Sequence, residues 1–139
     1  MPSYKARVKW KGGHSGYLTC GNGAEMDFSS PPALYGTAGV MTPEDAFVSA
    51  ANMCFHLMFL WAAERFKINL ISYECEAEGI TKDLLDKTSI FEKIILTPKI
   101  KVRNNSESEV KRALKSAEKY SLIIQSIKSE LILEPEITT

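Results

Sequence analysis

The chain has 139 residues, of which 45% are hydrophobic and 24% charged, an ordinary globular mixture long enough to bury one core without cross-links. Seventeen Lys and Arg balance seventeen Asp and Glu. The apolar share excludes disorder as the main state, and the charge balance speaks against nucleic acid as a partner, because proteins that bind it carry a basic excess.

The first elements read as strands. Tyr4, Ala6, Val8 and Trp10 alternate with Lys5, Arg7, Lys9 and Lys11. Gly12-Gly13-His14-Ser15-Gly16 predicts a turn, and Tyr17 to Cys20 a returning strand. Gly21-Asn22-Gly23 predicts a second turn before a short strand from Ala24 to Phe28. The stretch from Ser29 to Met41, rich in Pro, Gly and Ser, reads as a loop. Thr42-Pro43-Glu44-Asp45 is a helix start: Thr caps, Pro fits the first helical position, and the two acids suit the positive end of the helix dipole. This helix is expected to run to about Phe66.

A strand follows from Ile68 to Ile80, with Tyr73, Cys75 and Ala77 on one face and Glu74, Glu76 and Glu78 on the other. Thr81 to Ser89 reads as a polar turn. Phe91 to Val102 alternates again, with Pro98 suggesting an edge position. Asn104-Asn105-Ser106 is a turn and cap before an amphipathic helix through Tyr120, with Val110, Leu114 and Ala117 on its apolar face. A short helical piece to about Ile127 and a strand from Glu130 to Ile137 complete the pattern. The expected fold class is α+β, one domain over residues 1–139, with antiparallel hairpins and helices packed on a sheet.

The run from Ala46 to Ala63 holds no charged residue. A membrane span needs roughly 20 apolar residues, and Ser49, Asn52 and His56 interrupt this one, so it is expected in a soluble core. A helix apolar around its whole circumference needs cover on every side. One small sheet and one amphipathic helix are too little, which predicts an obligate homodimer. The first 17 residues lack the apolar core of a signal peptide. Cys20, Cys54 and Cys75 are an odd, widely spaced set without a Cys-x-x-Cys pair, and His14 and His56 are the only histidines. No metal site, cofactor or disulfide framework is expected, and the thiols suit the reducing cytoplasm.

Cys54 lies in mid-helix, where an isolated cysteine reads first as a small buried hydrophobe. As a nucleophile it would need a cation or hydrogen-bond donor from another segment, since it lies about three turns beyond the helix N-terminus and its dipole. Glu44, ten residues earlier, reads on its own as a partner of that dipole. The Gly12–Gly16 turn reads on its own as a hairpin connection. His56 is expected as a hydrogen-bonded buried histidine, and Cys20 and Cys75 as strand packing. The row Glu74, Glu76, Glu78 reads as a solvated face.

The segment TPEDAFVSAANMCFHLMF resembles the central-helix signature of the OsmC/Ohr family (osmotically inducible protein C and organic hydroperoxide resistance protein). GGHSG resembles the family's hairpin, and SAEKYSLIIQSI its second helix region. The resemblance implies an OsmC-like fold in which antiparallel sheets surround a long buried central helix and two subunits intertwine, with active sites at their interface. It places the peroxidatic cysteine at Cys54 and its acidic partner at Glu44. The family's hairpin arginine falls on His14, and its second, resolving cysteine on Ser121. An arginine is charged at every relevant pH, whereas a histidine needs a carboxylate such as Glu44 to hold its proton. Without a resolving thiol, a sulfenic acid at Cys54 must be reduced by an external thiol or overoxidise. The resemblance thus implies a divergent one-cysteine peroxidase acting on organic hydroperoxides. The alternative is a non-catalytic protein binding an apolar or acyl-bearing small molecule on the same dimeric scaffold. Neither reading involves a cofactor, a nucleic acid or a membrane.

Overall fold

The computed structural model describes residues 1–139. The chain forms two compact units, Met1–Phe47 and Val48–Thr139.

The first unit carries β1 (Ala6–Trp10), β2 (Ser15–Cys20) and β3 (Glu25–Ser29) in one antiparallel sheet, ordered β1-β2-β3. Gly12 and Gly13 hold positive φ angles, the left-handed geometry that a tight hairpin connection demands and glycine tolerates. The loop after β3 is tied from within. The buried Ser29 hydroxyl accepts from the Thr37 amide and donates to the Ser30 carbonyl, and the Ser29 amide donates to the Met41 carbonyl.

Helix α1 (Pro43–Arg65) starts where the cap chemistry predicts. The Asp45 amide donates to Thr42 Oγ1 at 3.0 Å, with Pro43 as the first helical residue. It ends two residues before Lys67, whose φ is 57°. There the Lys67 amide donates to the Glu64 carbonyl and the Ile68 amide to the Ala63 carbonyl, a Schellman stop without the usual glycine.

In the second unit α1 buries Ala51, Phe55, Phe59 and Ala62 and exposes Met53, Leu57 and Trp61 on the other side. It is long and apolar enough to cross a membrane by length and composition, but its inward face belongs to the core. β4 (Leu70–Asp83) and β5 (Ser89–Val102) form a long antiparallel hairpin. The polar turn expected over Thr81–Ser89 is found at residues 84–88, and the strands reach further into that stretch at both ends: Thr81 pairs with Phe91 and Asp83 with Ser89. The face Tyr73, Cys75, Ala77, Gly79 is partly covered, while Glu74, Glu76 and Glu78 are exposed, as the alternation predicts. α1 crosses β4 closely at Gly79, where an added Cβ would stand 2.6 Å from Val48 Cγ2 and 2.8 Å from Phe91 Cε1. β5 contributes Ile94, Leu96, Ile100 and Val102 to the core.

Helix α2 (Glu107–Tyr120) begins with a capping box between Ser106 and Glu109 and buries Val110, Ala113, Leu114 and Ala117. A one-turn helix, α3 (Leu122–Gln125), follows after Ser121. β6 (Glu130–Leu133) and β7 (Glu136–Thr138) replace the single last strand expected, and both pair with β5 in parallel. The sheet is therefore mixed. Periodicity does not carry strand direction, and a crossover through α2 and α3 brings the chain back parallel. Pro98 is not at an edge. It sits in the central strand, opposite the break between β6 and β7, where a missing N–H removes no ladder bond on that side.

Candidate functional site

The candidate residues fall in both units. In the first, the β1–β2 turn carries His14, and its backbone is anchored: the Ser30 amide donates to the His14 carbonyl, and Trp10 Nε1 donates to the Gly13 carbonyl. Glu44 is set in the first turn of α1 by the Thr42 cap. The two side chains line one cleft of about 370 Å³ with Trp10, Phe28, Leu34 and Pro43. Both residues are exposed, and no ion pair joins them. The His14 ring lies 5.8 Å from that of Tyr35.

In the second unit, Cys54 is half-buried on the flank of α1, between the packed Phe55 side and the exposed Met53–Leu57–Trp61 side. It is a free thiol. Ser121 Oγ donates a hydrogen bond to Cys54 Sγ at 3.0 Å. The serine is wholly buried. The two residues are 67 positions apart in the chain and meet through the junction of α2 and α3.

A second polar group lies beside α1 and β4. Asn52 Nδ2 donates to the Cys75 carbonyl at 3.1 Å, and the His56 ring stands 4.6 Å from that of Tyr73. The hydrogen bond expected for buried His56 is not found at Nδ1, which has no partner in the chain. The Tyr73 hydroxyl, next to the Cys75 thiol, makes no hydrogen bond of good geometry. Burial raises the Tyr73 hydroxyl far above the usual phenol range. Burial also raises the Cys75 thiol, against a smaller opposing effect of Tyr73. Cys75 is thus held neutral and suits packing rather than nucleophilic chemistry. Asn52 and Tyr73 did not stand out in the sequence; the only hint was a polar Asn inside an apolar helix. No group of three His, Cys, Asp or Glu side chains is arranged to hold a metal ion.

The arrangement offers a partly buried thiol with a buried donor beside it, and a histidine and a carboxylate in one cleft. Residues 36–136 match the family model described as OsmC-like protein. No curated protein is similar enough in sequence to match. Among solved structures, an OsmC-like protein of unknown function from Vibrio cholerae is similar at 22% identity and a TM-score of 0.88, over 97% of this chain and 99% of the other. An organic hydroperoxide resistance protein OsmC from Legionella pneumophila is similar at 18% identity and 0.74, over 100% and 98%. The organic hydroperoxide resistance protein OhrB of Bacillus subtilis is similar at 18% and 0.66, over 97% of each chain. The α+β architecture with its long helix is the fold of these proteins, and the chain belongs to the OsmC-like family.

Proposed function

We propose that the protein is a one-cysteine, thiol-dependent peroxidase acting on organic hydroperoxides, with Cys54 as its nucleophile. The observation that carries this reading is the state of Cys54: a free, partly buried thiol whose sulfur accepts a hydrogen bond from a buried hydroxyl. A nucleophilic thiol needs a donor or cation from outside its own helix turn, and Ser121 is such a donor. The hydroperoxide resistance proteins that share the fold support the choice of substrate class.

In this reading the Cys54 thiolate attacks the distal oxygen of the hydroperoxide. An S–O bond forms, the O–O bond breaks, and the alkoxide leaves as the alcohol after taking up a proton. The sulfenic acid is then reduced by an external thiol. One thiol displaces water to give a mixed disulfide, and a second releases the disulfide and restores Cys54. His14 is the proposed cation that favours the thiolate, and Glu44 its proposed acidic partner in the same cleft. The working form is a homodimer of the whole chain in a reducing cytoplasm. Its support is the apolar surface that one copy leaves open, including Met53, Leu57 and Trp61 on α1.

The test is peptide-level mass analysis after a small excess of cumene hydroperoxide with a sulfenic-acid trap. Trapped adduct is expected at Cys54 ahead of Cys20 and Cys75. Oxidation should slow in His14→Ala and be kept in His14→Arg. Equal rates in wild type and His14→Ala would remove His14 from the site. No oxidation of Cys54 under any condition would favour the apolar-ligand-binding alternative.

A further inference from the structure

Ser121 occupies a position where serine ordinarily serves the backbone. It is the last cap of α2 and the first cap of α3. A serine at a helix start usually turns its oxygen toward a free amide of the new helix. Here it does not: the side chain caps nothing, and the Gln125 amide is satisfied by the Ser121 carbonyl at 2.9 Å. The hydroxyl proton goes instead to Cys54 Sγ at 3.0 Å. A wholly buried hydroxyl needs an acceptor, and this sulfur is the one it has.

We infer that Ser121 is a positioning residue that holds the Cys54 sulfur as thiolate through this hydrogen bond. A neutral thiol is a weak acceptor, whereas hydrogen bonds to an ionised acceptor are roughly twice as strong as neutral ones. A bond that strengthens on ionisation favours the ionised form. The charged side chain next to the junction is engaged elsewhere. Lys119 Nζ lies over the Tyr120 ring at 5.2 Å, and that ring meets Trp61. Within the second unit Ser121 is the single hydrogen-bond donor to Cys54. The serine therefore keeps one contribution that a resolving thiol at this place could also make, proximity to the reactive sulfur. It gives up the other, closure to a disulfide.

The inference deepens the peroxidase reading, but its test uses no peroxide. The rate of Cys54 alkylation by iodoacetamide is followed against pH by peptide mass, in the intact protein, for wild type, Ser121→Ala and Ser121→Thr. Cys75 in the same digest is the control. In Ser121→Ala the midpoint is expected to move to higher pH, with the rate at neutral pH falling about tenfold, the scale of one hydrogen bond to a charged group. Ser121→Thr should restore the wild-type profile, and Cys75 should not change. Because the hydroxyl caps no helix, the alanine variant should fold, which circular dichroism checks. A wild-type midpoint in Ser121→Ala would overturn the inference. So would a threonine variant that falls as far as alanine while folded. A shifted midpoint in a protein that never reduces hydroperoxide would keep this inference and remove the peroxidase reading.

Discussion

The two units are built on different terms. Every buried apolar side chain of the core, from Ala51 to Ile124, belongs to Val48–Thr139. The unit Met1–Phe47 buries Ser29 and Thr42 but no large apolar side chain, and it leaves Val8, Trp10, Met26 and Tyr35 exposed. Its sheet has good ladders and bound turns, yet hydrogen bonds alone contribute little net stability. One unit carries its own core. The other has apolar side chains without one, and the proposed second copy is what would cover them.

The largest test of that contrast pairs two aromatic residues. Phe59 has 0% exposure and Trp10 has 77%. Phe59→Ala should lower unfolding free energy by about 3–5 kcal/mol in a urea titration, the usual cost of emptying a core site. Trp10→Ala should do little to the second unit but weaken the dimer, read by sedimentation as dissociation at higher protein concentration. A stable, folded 15.5 kDa monomer in wild type, with Trp10→Ala silent, would mean that the exposed face needs no cover.

A smaller effect probes how tightly the core-bearing unit is packed. Gly79→Ala puts a methyl group against Val48 and Phe91 and should cost about 1–3 kcal/mol, as overpacking does. Unchanged stability would show that α1 can lift from β4 freely. The smallest effect is a chemical one at Cys75. Because burial raises this thiol, its alkylation should lag that of a free cysteine at mildly alkaline pH and keep rising where the free thiol has levelled off. The sign for stability follows: the contribution is present below the ordinary thiol range and is lost as pH rises through it toward the folded value. Alkylation as fast as free cysteine would show that the β4 face is open.

The start of α1 was readable because Thr42, Pro43 and the acids act locally. The β4 alternation was readable because one face is covered and the other wet. The end of α1 and the pairing of β6 and β7 were harder, since a Schellman turn at a lysine has no sequence flag and parallel pairing depends on distant β5. Of the site, Cys54, Glu44 and His14 came from the family resemblance, while composition and spacing alone left them as packing, a dipole partner and a turn. That Ser121 reaches Cys54 depends on two helix ends meeting 67 residues apart, beyond any local rule. His14 and Glu44 share a cleft, but the expected pairing between them is not made in the single chain.

The helix stop at Lys67 bears on how much more stable the chain could become. A side chain held in the left-handed region costs roughly 1–2 kcal/mol relative to glycine's freedom there. Tyr35, Lys87 and Asn104 share that geometry with Lys67. Selection acts on stability only up to the threshold that function needs, so costs of this kind persist when they do no harm. At Lys67 and Lys87, which belong to neither the His14 cleft nor the Cys54–Ser121 contact, the chain stands below its own ceiling, and improvement there would leave the chemistry as it is.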